Sequence, residues 1–546
     1  MASPVVHIDE SAGQDAEAST GTEASPYKTL QYAYLRHQGA DSSTQYLVRK
    51  TIEASADGDT GLPEPDNGQY KPAAKSALKK AATLFETQKK KAAREKELQT
   101  QREQEERERQ AVLERAKLIT ISEDTSLPAA VKIRLDQTDA SVVKLRDNDA
   151  VQKGDGTAVG TRVRVLGRVH RVRQQGQLIF ITLRDGYGYL QCLLSGQLAK
   201  TYDAITLTLE TSIELLGEMW AVPAFAKAPD NRELHADFFR VVGRAAGGDD
   251  SFTNRIAPTS KTAQHKLLDL RHLSLRGENA AKVMLIRDQV EWAFRTAYRE
   301  DSIRCVSPPA LVQTQVEGGA TLFSFQYYDE RAFLTQSSQL YLETCLPMLG
   351  NVFCIEKSFR AEKSLTRRHL SEFTHVEAEL DFITFADLLD HLEHVICRVI
   401  DLVLADPAAA RMLRDLNPDF TPPSRPFLRM RYADAIDWLR ERDVRDEEGN
   451  EHFFGADIAE KAERHMTDSI GRPILLTHFP VEIKAFYMSK DPQDRRVTES
   501  VDCLMPGVGE IVGGSMRMYE YDELMAAYER EGISPEPYYW YTDQRK

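Results

Sequence analysis

SFRAEKSLTRRHLSEFTHVEAE, residues 358–379, is the stretch on which the fold turns. It sets Arg360, Lys363, Arg367, Arg368 and His369 among Glu362, Glu372, Glu377 and Glu379. The last part alternates, so Phe373, His375, Glu377 and Glu379 fall on one side of an extended chain, and a strand is expected there. A strand face lined this way is costly to bury unless a charged ligand completes it. Arginine forks match phosphate and carboxylate oxygens. A carboxylate beside them can hold an amine, an amide or a metal. The pattern points to a polyanionic ligand next to a small polar one. The alternative is an ion-paired, solvated sheet edge.

Around this stretch lies a chain of 546 residues, enough for three or four domains with at least one large core. Composition is that of a soluble protein, with 42% hydrophobic and 28% charged residues. The formal net charge of -14 leaves no global cationic field, so a nucleic-acid partner would need local basic patches. Six cysteines are scattered without a CxxC pair, which disfavours a zinc site or a disulfide framework and suits a reducing compartment. There is no run of 18 apolar residues and no basic leader at the N-terminus. Secretion and membrane spanning are disfavoured, and a cytoplasmic location is expected.

Residues 1–22 are small and acidic and are expected to be a disordered tail. Residues 23–75 suggest a small appended domain, built on Tyr27, Leu30, Tyr34, Tyr46 and Leu47. Residues 76–118 are rich in Ala, Lys, Glu, Gln and Arg without Pro or Gly, which predicts a long charged helix. Its basic run (Lys89, Lys90, Lys91, Arg94, Lys96) is either a solvated face or an arm touching RNA phosphates. A linker is expected over 119–159.

Over 160–245 the period changes to two. Val163, Val165, Gly167 and Val169 alternate with Arg162, Arg164, Arg168 and His170. Leu178, Phe180 and Thr182 alternate with Ile179, Ile181 and Leu183. Short strands broken at QQG and DGYG predict a small β-barrel with cations and rings on adjacent strands, the chemistry of single-stranded nucleic-acid binding. Residues 246–275 are expected to be a hinge. From 276 to 546 helices and strands alternate in one large domain. A helix is expected over 280–300 with Val283, Ile286, Val290, Phe294 and Ala297 on one side, and another over 387–404. A surface loop is expected within 401–425, and strands at 473–479, 485–488 and 511–519.

FRAE, RRHL and EFTHVEAE together resemble motif 2 of the class II aminoacyl-tRNA synthetases, in the version of the aspartyl/asparaginyl group. The resemblance runs over residues 160–546, with several motifs in order, and leans to the cytoplasmic asparaginyl branch. It implies an OB-fold barrel plus an α+β catalytic domain on an antiparallel sheet, behind an N-terminal extension. It implies ATP and Mg²⁺ as cofactors, L-asparagine and tRNA(Asn) as substrates, and a homodimer.

The same resemblance assigns roles. Arg360 bridges the amino-acid carboxylate and the α-phosphate, lowering repulsion where charge develops. Arg368 and His369 hold the terminal phosphates, Glu362 the adenosine end, and Phe373 stacks on adenine. Glu510, helped by Asp502, coordinates Mg²⁺. Glu317 takes the substrate amino group, and Gln336, Ser337 and Gln339 form a loop over the amino acid. Ser515 and Arg517 face the same substrate, and Lys484 is a basic residue before a buried strand. Pro309 is the motif 1 proline of the dimer seam. Phe180 stacks an anticodon base and Gln191 reads its edge. Leu342 stands where aspartate-specific relatives keep a lysine, and Glu377 where they keep an aspartate, which favours asparagine. The alternatives are an aspartate–tRNA ligase and a non-catalytic protein of synthetase origin. The second is raised by a departure from the family pattern: no GLGLER-like motif 3 occurs, so a C-terminally incomplete catalytic domain without its ATP-clamping arginine is expected.

Overall fold

The computed structural model describes residues 4–37, 44–50, 68–137, 143–146, 159–222, 227–256, 264–314, 322–363, 369–446 and 448–546. The chain divides into two compact units, residues 1–257 and 258–546.

The first unit begins with a strand where a disordered tail was expected. β1 (Val5–Asp9) pairs in parallel with β2 (Gln45–Arg49), which pairs with β3 (Lys71–Pro72). Val6, Ile8, Tyr27, Ala33 and Tyr46 make a small core beneath α1 (Leu30–Arg36). The strand forms because VVHID has a partner edge some forty residues away, which the acidic composition around it conceals. α2 (Lys75–Lys117) is the long charged helix; only Ala81 and Ala116 are buried on it. Its stability comes from helix propensity and from its two docked ends.

The barrel starts earlier than expected. β4 (Val131–Lys132) pairs with β5 (Arg162–Gln175), and Ile133, Leu135 and Val143 from the expected linker are buried in the barrel core. β6 (Leu178–Arg184), β7 (Tyr189–Leu194), β8 (Ser212–Ala221) and β9 (Arg232–Gly243) complete it. The order β5-β6-β7-β9-β8 closes through a β5–β8 pairing, so no edge is left in the ring. β5 serves two neighbours because a register shift between Val169 and Arg171 bends it. Ile179, Ile181 and Leu183 point inward and Phe180, Thr182 and Arg184 outward, as the alternation requires.

In the second unit the expected hinge carries short helices at Gln264–Asp269 and Arg271–Ser274. α3 (Glu278–Glu300) follows. Val290, Phe294 and Ala297 face the core, but Val283 is exposed, so the inner stripe is shorter than expected. β10 (Arg304–Cys305), β14 (Val352–Phe359) and β15 (Glu372–Glu379) form one sheet. β11 (Leu311–Val312), β12 (Ser324–Tyr327) and β13 (Glu330–Leu334) form another, and α4 (Gln339–Leu349) lies between β13 and β14 in the chain. α3 and α5 (Phe385–Ala405) cover β14 and β15, burying Ala293, Ala297, Phe353, Ile355, Val395 and Val399 together.

The expected loop over 401–425 contains a helix, α6 (Pro407–Leu416). Asp406 caps it by accepting from Ala408 and Ala409 N–H, and Pro407 opens it, a position where its missing N–H costs nothing. β16 (Leu428–Arg431), α7 (Tyr432–Glu441), α8 (Glu460–Ile470), β17 (Ile474–Thr477), β18 (Ser500–Met505) and β19 (Gly509–Ser515) build the last sheet and its cover. No strand forms at 485–488. Met488 makes one bridge to Arg517, while Phe486 and Tyr487 are buried in an aromatic cluster with Tyr528 and Tyr538, which fixes the backbone by packing. β19 ends at Ser515, short of the expected 519. α9 (Tyr521–Glu531) closes this cluster.

Candidate functional site

β15 sets Phe373, His375, Glu377 and Glu379 on one face, as their alternation predicts, and each is at least half-buried. β14 supports it in register, with Glu377 opposite Cys354 and Phe373 opposite Ser358. His375 is anchored at its root, with Nδ1 3.0 Å from Ser358 Oγ.

Glu377 sits at the start of α4. Its Oε2 accepts from Ser338 N–H at 3.0 Å, and Oε1 accepts from the Ser337 hydroxyl. A carboxylate held by a backbone N–H at a helix N-terminus keeps lone-pair capacity for one more donor. Gln336, Ser337 and Gln339 are buried. The Gln339 side chain is turned toward α4, where its Nε2 donates to Glu343 Oε1 at 3.1 Å, so this segment is a packed shoulder of the site.

Glu379 is gripped by Arg517. Nε donates to Oε2 at 3.1 Å and Nη2 to Oε1 at 2.5 Å, while Nη1 donates to Ser515 Oγ at 2.7 Å. Burial pushes the Glu379 carboxyl up to about 7 against the pull of Arg517, with Glu343 and Glu377 adding negative charge nearby. Burial would lower Arg517, but Glu379 and Glu343 outweigh it and keep the guanidinium protonated. Glu343 continues the network: it binds Arg545, and Tyr541 OH donates to it at 3.1 Å. Two half-buried arginines therefore alternate with two buried glutamates, which balances the charge. Ser515 and Arg517 were anticipated from sequence. Glu343 lies one helical turn after Gln339, a weak signal, and Arg545 carried none.

Arg360 follows β14. Its guanidinium lies over the Phe373 ring at 5.6 Å, and its backbone N–H donates to Ser371 O at 3.0 Å. Glu362 and His369 are exposed at the rim. Arg368 and Glu317 lie outside the described residues.

On β18 and β19, Asp502 stands opposite Gly513. A side-chain carbon at Gly513 would lie 3.2 Å from Glu510 Oε1 and 3.6 Å from Asp502 Oδ1, so the missing Cβ lets two carboxylates converge. Lys484 donates to Asp502 Oδ2 at 2.8 Å. On α8, burial and then the charges of Asp502 and Glu510 push Glu463 up to about 8. Two converging carboxylates fit Mg²⁺, which takes few protein oxygens. Among the described residues no group of three or more ligand side chains converges, as a closed metal cage would require. Pro309 is exposed beside β11.

In the first unit, Phe180 is outward-facing with Arg173 over its ring at 5.0 Å. Gln191 Nε2 donates to Glu233 Oε2 at 2.8 Å, and Glu233 Oε1 pairs with His235 Nε2 at 2.8 Å. Glu233 extends the predicted pair; its place in RELHADFF carries no period that singles it out.

Three family models match the chain: "tRNA synthetases class II (D, K and N)" over residues 263–546, "Asparaginal-tRNA synthetase, N-terminal domain" over 22–128, and "OB-fold nucleic acid binding domain" over 163–241. The cytoplasmic asparagine–tRNA ligase of Saccharomyces cerevisiae is 48% identical over 99% of this chain and 92% of its own. That of Homo sapiens is 45% identical, with the same coverage of both chains. Among solved structures, Entamoeba histolytica asparaginyl-tRNA synthetase in complex with asparaginyl-adenylate matches with a TM-score of 0.68 and 41% identity, over 77% of this chain and 90% of that one. The Pyrococcus horikoshii enzyme with the same adenylate matches at 0.65 and 33% identity, over 71% and 87%.

Proposed function

We propose the residue roles below from one premise: the chain belongs to the class II tRNA synthetases of the D, K and N group, and its activity is that of an asparagine–tRNA ligase. It uses ATP to activate an amino acid on the second unit and carries an OB-fold for nucleic acid in the first.

The observation that carries the specificity reading is a pair of opposite charges, the Glu377 carboxylate at the α4 N-terminus and the Arg517 guanidinium held on Glu379. Asparagine ends in an amide, with one donor side and one acceptor side. Glu377 accepts from the amide NH₂. Arg517 uses three of its five N–H groups on Glu379 and Ser515, leaving two for the amide oxygen. An aspartate side chain would meet the Glu377 carboxylate and be repelled. Leu342, fully buried against Val352 and Cys354, supplies no cation to offset that repulsion, which argues against the aspartate reading.

Arg360 lies between the two anions that react. It moves off the Phe373 ring toward the α-phosphate and the attacking carboxylate, and adenine takes the ring face it leaves. Gln336, Ser337 and Gln339 form the packed wall against which the amino acid is oriented, with Glu317 at its amino group. His369, Arg368 and Glu362 contact the outer parts of ATP. Glu510 and Asp502 would hold Mg²⁺, which would supply charge neutralisation to the ATP phosphates. Lys484 keeps Asp502 aimed at that place. Phe180 and Gln191 bind the anticodon of tRNA(Asn). Pro309 and α3 belong to a homodimer seam, and the enzyme works in the cytoplasm. No helix among the described residues is long and apolar enough to cross a membrane.

The test is ATP–pyrophosphate exchange with asparagine and with aspartate, followed by charging of tRNA(Asn), on purified protein. Exchange with asparagine alone supports the assignment. Equal exchange with both amino acids would remove the role given to Glu377 and Arg517.

A further inference from the structure

Beside the Phe180 position the barrel carries a second aromatic construction. Trp220 on β8 and His235 on β9 stack with ring centroids 4.4 Å apart and planes inclined by only 8°. Arg146 also lies over the Trp220 ring, at 4.6 Å. The column Arg146–Trp220–His235 therefore ends on His235, whose side chain keeps 31% exposure. Among the described residues no other ring stacks on it.

We propose that His235, backed by Trp220 and Arg146, is a base-stacking platform for a second single-stranded nucleotide, adjacent to the one taken by Phe180. The proposal rests on the reading of this face as the anticodon site. Strand register brings the two rings into one row: Arg173, Phe180, Leu193 and His235 are successive cross-strand partners on the outer face. Two inter-strand steps separate Phe180 from His235, or about 10 Å. That spacing suits neighbouring bases splayed out of a loop, where each needs its own surface. Leu193 fills the floor between the rings with an apolar side chain.

The ring is also fixed in plane. His235 Nε2 pairs with Glu233 Oε1, and the other oxygen of the same carboxylate holds Gln191. One carboxylate thus orients both the edge-reading amide and the platform. Although burial would raise it, Glu233 lies below its ordinary range because His235 and Gln191 donate to it. A ring held by Trp220 on one face and by Glu233 at its edge has little entropy to lose when a base arrives. Arg171 and Arg173 on β5, both exposed, place positive charge at one end of the row for the phosphates.

The test is a coupling experiment on the full chain. Wild type, Phe180→Ala, His235→Ala and His235→Phe are assayed for charging of tRNA(Asn) transcripts, each with one anticodon-loop base replaced by an abasic sugar. Adenylate formation on the same preparations reports that the catalytic domain is folded. A stacked base gives His235→Ala a loss of about 5- to 100-fold in kcat/KM for intact tRNA. One abasic position should cost wild type the same factor and cost His235→Ala nothing further, and it should differ from the position coupled to Phe180. His235→Phe, which keeps the ring and loses the hydrogen bond, should stay close to wild type. If Phe180 couples to a base and His235 to none, or if His235→Phe is as weak as His235→Ala, the platform is refuted and the stack is structural. If neither residue couples to any base, the anticodon reading of the whole face fails.

Discussion

Arg517 and Glu379 meet through two parallel hydrogen bonds, a geometry only a planar guanidinium can provide. Arg517→Lys keeps the charge and loses the fork, together with the link to Ser515. The expected result is a rise in KM for asparagine, with kcat/KM in pyrophosphate exchange down about 30- to 100-fold, or roughly 2–3 kcal/mol. An unchanged KM would place Arg517 outside the substrate pocket.

Glu377 is expected to set the sign of specificity. Glu377→Gln preserves shape and can still accept from Ser338 N–H through its amide oxygen, but it no longer repels a carboxylate. The ratio of kcat/KM for asparagine over aspartate should fall by at least about 10-fold, since losing an unfavourable charge contact changes discrimination by one or more kcal/mol. A ratio that stays constant while both rates fall would show that Glu377 supports the fold and not the choice.

The strand that carries these residues was legible because Phe373, His375, Glu377 and Glu379 recur at every second position. The barrel was legible for the same reason: Ile179, Ile181 and Leu183 mark a buried side. α2 followed from composition alone. What stayed hidden depends on distance along the chain. β1 is five residues whose partner strand is forty residues away. Glu343 meets Arg545 across 202 positions, and no local pattern announces an ion pair of that span. The Ala/Pro run after residue 405 looked like a loop because proline usually breaks helices, yet at the first helical position it starts one. At 485–488 the apolar FYM triplet had the composition of a strand, and packing of Phe486 against Tyr528 decided otherwise. The pairing of Asp502 with Lys484 likewise needed the fold, since eighteen residues separate them.

Asp9 makes the small N-terminal sheet acid-sensitive. It is fully buried, and it accepts from Ser11 N–H at 3.0 Å, Ser11 Oγ at 2.7 Å, Ala12 N–H at 3.0 Å and Arg49. Burial raises its carboxyl, but these donors outweigh that and hold it well below its ordinary 3.8. A depressed carboxylate contributes stability that is complete above the unfolded value and is lost as pH falls through the folded one. Hydrogen exchange in residues 4–37 should therefore be constant from pH 7 to about 5, after correction for the intrinsic rate, and local protection should fall only below about pH 4. Asp9→Asn should cost about 1–3 kcal/mol at neutral pH and flatten the acid limb. Equal acid sensitivity in the variant would assign the effect to other carboxylates.

The outer face of α3 carries the assembly prediction. Leu285 and Trp292 are seven residues apart, hence on one side of the helix, and are 45% and 59% exposed, with Met284 and Val283 exposed beside them. Large apolar side chains exposed on one side of a helix mark an interface. The stripe runs on the helix that precedes Pro309, and a two-fold axis there would let the same face cover itself, as an isologous contact requires. Light scattering at micromolar concentration should give twice the 61.7 kDa of the chain. Placing a charge at both Leu285 and Trp292 (L285D, W292D) should give monomer, because each copy would then bury two carboxylates against their symmetry mates. Asparagine-dependent exchange should fall with the dimer fraction if the seam braces Arg360 and β15 through α3. A wild-type protein that scatters as a monomer, or a doubly charged variant that remains dimeric, would move the interface to another face.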